Sequence, residues 1–233
     1  MPAINSVSHG WTARLDGAVY AQPLLVGSRL IVATEGDSLY SISPVTGRVQ
    51  WRAHLGTPVS RSTLPCGNID PLGITGTPVY DTYTHLVYAV IETTGAHHTL
   101  VAVDPATGAV KLRRNVDPPG VTDPRPYQQR AALLQVGRRI YVAYGGLAGD
   151  CGNYIGTLLG VPDTGTTGAI TRWRPATPRE GGMWNPAGPA LAPNGHLLIP
   201  VGNGAMSSGT FDGSDSLTEL TLGLARTGYF APS

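Results

Sequence analysis

The 233 residues carry 13% charged side chains, 31 glycines and 20 prolines, a composition of many short strands and tight turns rather than long solvated helices. A formal net charge of +1 with scattered arginines excludes a basic field for nucleic acid or an anionic membrane. No stretch approaches the roughly 18 consecutive apolar residues of a membrane span, and Met1-Pro2-Ala3-Ile4-Asn5-Ser6 lacks the basic and apolar parts of a signal peptide.

In chain order, the first signal is Trp11-Thr12-Ala13-Arg14-Leu15, a Trp-x-Ala-x-Leu frame that returns as Trp51-Arg52-Ala53-His54-Leu55. Each copy marks the end of one unit and the crossing to the next, so periodicity on the scale of tens of residues organises the chain. The first unit predicts strands at 22–26, 30–34 and 38–42, then the turn Pro44-Val45-Thr46-Gly47 and a closing strand at Trp51. The second predicts strands at 77–80, 86–90 and 100–103, then Asp104-Pro105-Ala106-Thr107-Gly108 and a strand through Leu112. Glycine supplies the positive φ of such a hairpin turn, and the β-branched residue two places on begins the returning strand. The third predicts strands at 131–134, 140–144 and 157–161, with a looser Thr167-Gly168 turn leading to Trp173.

A fourth unit opens at 188–191, turns at Pro193-Asn194-Gly195 and continues through 196–201 and 215–220, with no Thr-Gly turn or closing tryptophan after it. Four strands per unit make the blade of a propeller. The expected fold is therefore all-β: a partial β-propeller with complete blades at 21–51, 76–112 and 130–173, a partial fourth, and a leftover N-terminal strand at Trp11. The whole of 1–233 reads as one domain cut at both ends.

Cys66 and Cys151 both lie in Gly- and Asn-flanked loops of the kind that gather on one face of a propeller. They are expected to form a disulfide across blades, which places the parent protein outside the reducing cytosol. Two cysteines this far apart make neither a CxxC redox pair nor a four-thiolate zinc site. His97-His98 reads as a solvated hairpin tip without a metal-pairing partner. No Gly-x-Ser-x-Gly elbow, phosphate-binding glycine loop or HExxH occurs.

The Asp104-to-Gly108 turn and the recurring tryptophans resemble the pyrroloquinoline-quinone-like (PQQ-like) repeat family, whose blades carry an Asp-x-x-Thr-Gly turn and a tryptophan that docks between blades. The first unit departs from that turn, with Ser43 in place of the aspartate. The resemblance assigns blade docking to Trp11, Trp51 and Trp173. Gly181-Gly182-Met183-Trp184-Asn185 through Gly202-Asn203-Gly204 is also similar to a segment of quinoprotein alcohol dehydrogenases, which hold quinone and calcium against a tryptophan and a disulfide of adjacent cysteines. That likeness makes Trp184 and Asn185 the candidates for cofactor contact, and Asp212 and Asp215 the candidates for a hard cation. The plainer reading of all four is blade docking and turn formation, and the chain has no adjacent cysteines.

The expected function is a non-enzymatic, exported binding or scaffold protein that presents the long loops 56–75, 115–130 and 172–185 to an unknown partner. The alternative is a fragment of a PQQ-dependent alcohol or sugar dehydrogenase. Terminal blades with uncovered faces also raise the expectation of self-association.

Overall fold

The computed structural model describes residues 9–165, 167–205 and 210–232. Met1 to Ser6, read above for an export signal, lie outside them. The strands β1 (Leu24–Val26), β2 (Arg29–Thr34), β3 (Ser38–Ile42) and β4 (Val49–His54) form blade 1 in that spatial order. Blade 2 repeats the pattern with β5 (Val79–Asp81), β6 (Leu86–Thr93), β7 (His97–Val103) and β8 (Val110–Asn115). A short β9 (Tyr127–Gln128) pairs with the far end of β11 in blade 3, which consists of β10 (Leu134–Val136), β11 (Arg139–Gly146), β12 (Thr157–Pro162) and β13 (Thr171–Trp173). Blade 4 holds β14 (Ala190–Leu191), β15 (Leu197–Val201), β16 (Ser216–Leu220) and β17 (Arg226–Phe230). All pairings within the blades are antiparallel, the pattern of a propeller arc.

Two details differ from the sequence expectation. Blade 4 is not a partial blade, because β17 supplies the fourth strand. Its turn lacks the Thr-Gly signature: Thr221 N–H donates to Ala225 O at 2.8 Å, and Leu224 takes the positive φ of 68° that glycine takes elsewhere. The leftover N-terminal strand is extended chain that joins no sheet among the described residues. Its Trp11, Ala13 and Leu15 instead lie on Val32, Tyr40 and Ile42, covering the outer face of blade 1 as a preceding blade would.

The inner strands are continuous apolar runs because both faces of each middle blade are covered. Along β6, Val87, Ala89 and Ile91 pack with Ile31, Ala33 and Leu39 of blade 1, while Tyr88 and Val90 pack with Ile140 and Val142 of blade 3. Along β11, Tyr141 and Ala143 turn the other way, toward Leu197, Ile199 and Leu220 of blade 4. The period-2 alternation of strand side chains thus builds three successive inter-blade cores. Fully burying each valine, leucine or isoleucine in these cores stabilises by about 1.5–3 kcal/mol. Buried tyrosines stitch neighbours through their hydroxyls: Tyr144 donates to Val116 O at 2.7 Å and Tyr141 to Leu222 O at 2.7 Å.

Antiparallel order sorts the connections to two ends. The short β3–β4 and β7–β8 turns lie at one end, where tryptophans dock. Trp11 Nε1 donates to Pro44 O at 2.9 Å, and Trp51 Nε1 donates to Pro105 O at 3.0 Å. The glycines of these turns have two reasons to be glycine. Gly47 and Gly108 hold φ of 69° and 77°, and a Cβ on them would lie 2.5 and 2.9 Å from the Trp11 and Trp51 rings. Trp173 packs by Leu222 of blade 4, and Leu112 takes the position between blades 2 and 3. The opposite end, called the loop end below, carries the β2–β3, β6–β7, β11–β12 and β15–β16 connections and every blade-to-blade link.

Candidate functional site

The loop end gathers the long segments, and a disulfide pins two of them. Cys66, in the link from blade 1 to blade 2, is bonded to Cys151, in the β11–β12 connection of blade 3, with Cα atoms 6.2 Å apart. Beneath it, Val59, Ile69, Leu72, Ala96 and Leu147 form a small core of their own, so these loops are packed rather than draped. The 85-residue separation makes the cross-link worth about 4.5 kcal/mol in the chain-entropy account.

Trp184 shares a cavity with Gly149 and Asp150, the residues that lead into Cys151. Its ring rests against Gly145, Gly182 and Gly202, at each of which a Cβ would fall 2.2–2.3 Å from a ring atom. Its Nε1 donates to Gly146 O at 3.0 Å. Only glycine permits so close an approach of backbone to an indole, and the three together fix its plane. The ring forms one wall of a cavity of about 380 Å³ that Gln128, Arg130, Asp150, Asn68 and Asn203 also line. Gly149, in the same wall, is so near the disulfide that its Cβ would lie 3.4 Å from Cys66 Sγ.

Of the other residues singled out in the sequence, Asn185 holds its own turn, accepting from Ala187 N and donating to Gly188 O. Asp212 caps a turn through Ser214 N at 3.0 Å and Ser214 Oγ at 2.6 Å, and exposed Asp215 adopts a left-handed φ of 46°. Neither aspartate lines the Trp184 cavity. Asp150 and Asn203, which do, were missed as site residues. Asn203 lies in the glycine-flanked Gly202-Asn203-Gly204 and Asp150 adjoins Cys151, so proximity to landmarks is the available signal. Among the described residues no group of three or more His, Cys, Asp or Glu is placed to hold a metal ion.

A second constellation lies between blades 1 and 2 at the same end. Glu35 and Asp37, in the β2–β3 turn, and Glu92, at the end of β6, are 1%, 0% and 2% exposed. Glu35 Oε2 accepts from Gly73 N at 2.7 Å, whereas its Oε1, both Asp37 carboxylate oxygens and Glu92 Oε1 have no hydrogen-bond partner among the described residues. Burial disfavours the charged form and, with the neighbouring Glu92 charge, raises Asp37 to about 8. Burial likewise raises Glu35 to about 7, against the Gly73 N–H that lowers it.

His98 corrects the reading of a solvated hairpin tip. His97 is exposed there, but His98 is fully buried, with Nε2 3.2 Å from Glu92 and Nδ1 3.3 Å from Asp117. Burial opposes its charge; Glu92 and Asp117 outweigh that and raise His98 to about 9. Asp117 also accepts from His98 N at 2.7 Å and Asn115 Nδ2 at 2.9 Å, and hydrogen bonding holds it well below the usual carboxylate range despite its partial burial.

A family model described as outer membrane protein assembly factor BamB matches residues 5–69, the stretch from the Trp11 segment through blade 1 to the first long link. No curated protein matches the chain. Among solved structures it is similar to quinohemoprotein alcohol dehydrogenase from Comamonas testosteroni, at 18% identity and a TM-score of 0.69 over 92% of this chain and 35% of that one. It is similar to the quinohemoprotein alcohol dehydrogenase ADHIIG from Pseudomonas putida HK5, at 18% identity and a TM-score of 0.66 over 94% and 35%. A europium-containing methanol dehydrogenase follows at 15% identity and 0.65, over 92% and 42%. The chain thus spans 35–42% of the length of these structures. With four successive antiparallel blades, tryptophans seated on glycine turns and these likenesses in view, the chain has the β-propeller fold that these dehydrogenase structures share.

Proposed function

We propose that the chain is part of an exported, non-enzymatic binding or scaffold protein that engages its partner through the loop end. One observation carries this reading: the long loops of blades 1 to 3 converge there and are fastened by Cys66–Cys151, so they form a fixed surface on rigid sheets. A disulfide belongs in an oxidising compartment. The description of the matching family model, an outer-membrane assembly factor, agrees with an exported role in assembly.

A photo-crosslinking residue at Asn68, exposed at the loop end, or at Val45, 83% exposed at the turn end, tests the proposal in the cell that makes the protein. A discrete adduct is expected from position 68 and none from position 45. Adducts from both, or none from position 68, overturn it.

The Trp184 cavity favours a second reading, a fragment of a PQQ-dependent alcohol or sugar dehydrogenase. Bound PQQ would supply two-electron oxidation. The indole plane suits its ring system, and Arg130 and Gln128 suit its carboxylates. The calcium that accompanies PQQ does not fit: it takes six to eight oxygen ligands, while Asp150 is the one carboxylate in the lining among the described residues and its Oδ1 already accepts from Tyr154. The residues around Trp184 therefore support no catalytic step. Tryptophan quenching together with dye reduction, on adding PQQ and calcium, belongs to this second reading alone.

A further inference from the structure

Beside the disulfide, and separate from the Trp184 cavity, the loop end holds a larger cleft of about 620 Å³, within the range of small-molecule sites. Its walls come from both sides of the cross-link: Leu64 and Pro65 precede Cys66, and Gly152 and Asn153 follow Cys151. The third wall is the proline-rich segment through Pro126 and Tyr127.

The charges in this cleft do not cancel. Arg125 is spent on Asp123, with Nε to Oδ1 and Nη2 to Oδ2 both 2.8 Å. Arg174 makes no ion pair among the described residues. Its Nε donates to Thr157 Oγ1 at 2.9 Å and its Nη2 reaches Pro119 O only at 3.4 Å, leaving Nη1 uncommitted. Burial and the neighbouring Arg172 hold Arg174 below the ordinary guanidinium value, as expected of a cation without a counter-ion.

A second donor is also unspent. Tyr127 is 3% exposed, and its hydroxyl oxygen accepts from Ile155 N at 3.2 Å. The hydroxyl proton has no acceptor among the described residues, and a buried tyrosine hydroxyl ordinarily finds one. An anion in the cleft would take both the Tyr127 O–H and the Arg174 N–H, while Leu64, Pro65 and Pro126 would cover an apolar body.

We infer that this cleft binds a carboxylate joined to an apolar or aromatic group, with Arg174 and Tyr127 as its donors. A single uncancelled guanidinium matches a monoanion and, through its planar fork, a carboxylate better than a doubly charged phosphate. The inference rests on the loop end being a binding surface and names a ligand chemistry for part of it. A free aromatic acid and the C-terminal carboxylate of a peptide share that chemistry.

The test is calorimetric titration of the disulfide-intact protein with 3-phenylpropionate and with N-acetyl-Ala-Ala-Phe, each as free acid and as amide. Saturable binding of at least one free acid is expected, with affinity lower by about tenfold or more for its amide, since a hydrogen bond to a charged group is lost. Which acid binds identifies the source. Arg174→Gln should weaken binding to a similar degree, and Arg125→Gln should leave it within about twofold. If Arg174→Gln fails to fold, the acid-against-amide comparison on the unaltered protein decides alone. Equal binding of acid and amide, or no binding of either acid at millimolar concentration, overturns the inference and leaves the crosslinking test of the surface standing.

Discussion

The two ends of the blade 1–blade 2 junction use the same interface in opposite ways. At the turn end the contact is closed and satisfied: an indole lies on a glycine turn, with its one donor given to Pro105 O. At the loop end three buried carboxylates face one another, and four of their oxygens lack partners among the described residues. The sheets between are a continuous apolar core, so packing does not force this difference. The turn end holds the blades in register. The loop end carries groups whose burial costs stability unless they keep their protons, and unpaired buried charges are retained chiefly where a site needs them.

The largest expected effect comes from releasing the loop end. Replacing Cys66 and Cys151 together by serine should lower stability to urea by about 4 kcal/mol under non-reducing conditions. An unchanged unfolding midpoint would place the loop-end stability in the small core around Leu72 instead. At the turn end, Gly108→Ala adds a Cβ where φ is 77° and Trp51 is 2.9 Å away, with an expected loss of about 2 kcal/mol. A loss no greater than that of an exposed-loop alanine would mean the indole is not seated there.

The smallest effect is a slope. A carboxylate whose folded value is raised, such as Asp37 at about 8 or Glu35 at about 7, favours folding below its unfolded value near 4 and loses that contribution as pH rises through the folded one. His98, raised to about 9, contributes in the same direction between its ordinary value and pH 9. Stability should therefore fall from pH 5 to pH 8, and Asp37→Asn should remove about 1.4 kcal/mol per pH unit from that slope. Denaturant curves across this range measure it. An identical slope in the variant would show that Asp37 is ionised when folded.

The architecture was readable in the sequence where local chemistry and long-range packing agree. Thr46-Gly47 and Thr107-Gly108 announce their turns because the backbone needs positive φ there, and the tryptophan spacing announces the blades that those turns receive. β17 was hidden because Leu224 adopts that same conformation without glycine, and its strand begins with Arg226-Thr227-Gly228 rather than an apolar run. The candidate site was harder to read. Trp184 was visible as a tryptophan in a glycine-rich stretch, but Asp150, Arg130 and Asn203 come to it from separate elements. Glu35 and Asp37 carry no sequence signal, since burial by a neighbouring blade leaves no mark on the residues it covers. Arg174 and Tyr127 gave no signal for the same reason: an unspent donor is a property of surroundings, not of spacing.

Among the described residues each blade's sheet packs on its neighbours' sheets alone, which is the connectivity of a one-dimensional array whose ends fray independently. The Cys66–Cys151 bond breaks that rule, because it ties the blade 1–blade 2 link to blade 3 across blade 2. A string of pairwise contacts thereby acquires a closed circuit. Blade 2 cannot leave without straining both neighbours, so the first three blades are expected to unfold together. Blade 4, outside the circuit, is held to blade 3 by their shared apolar core and the Tyr141–Leu222 hydrogen bond.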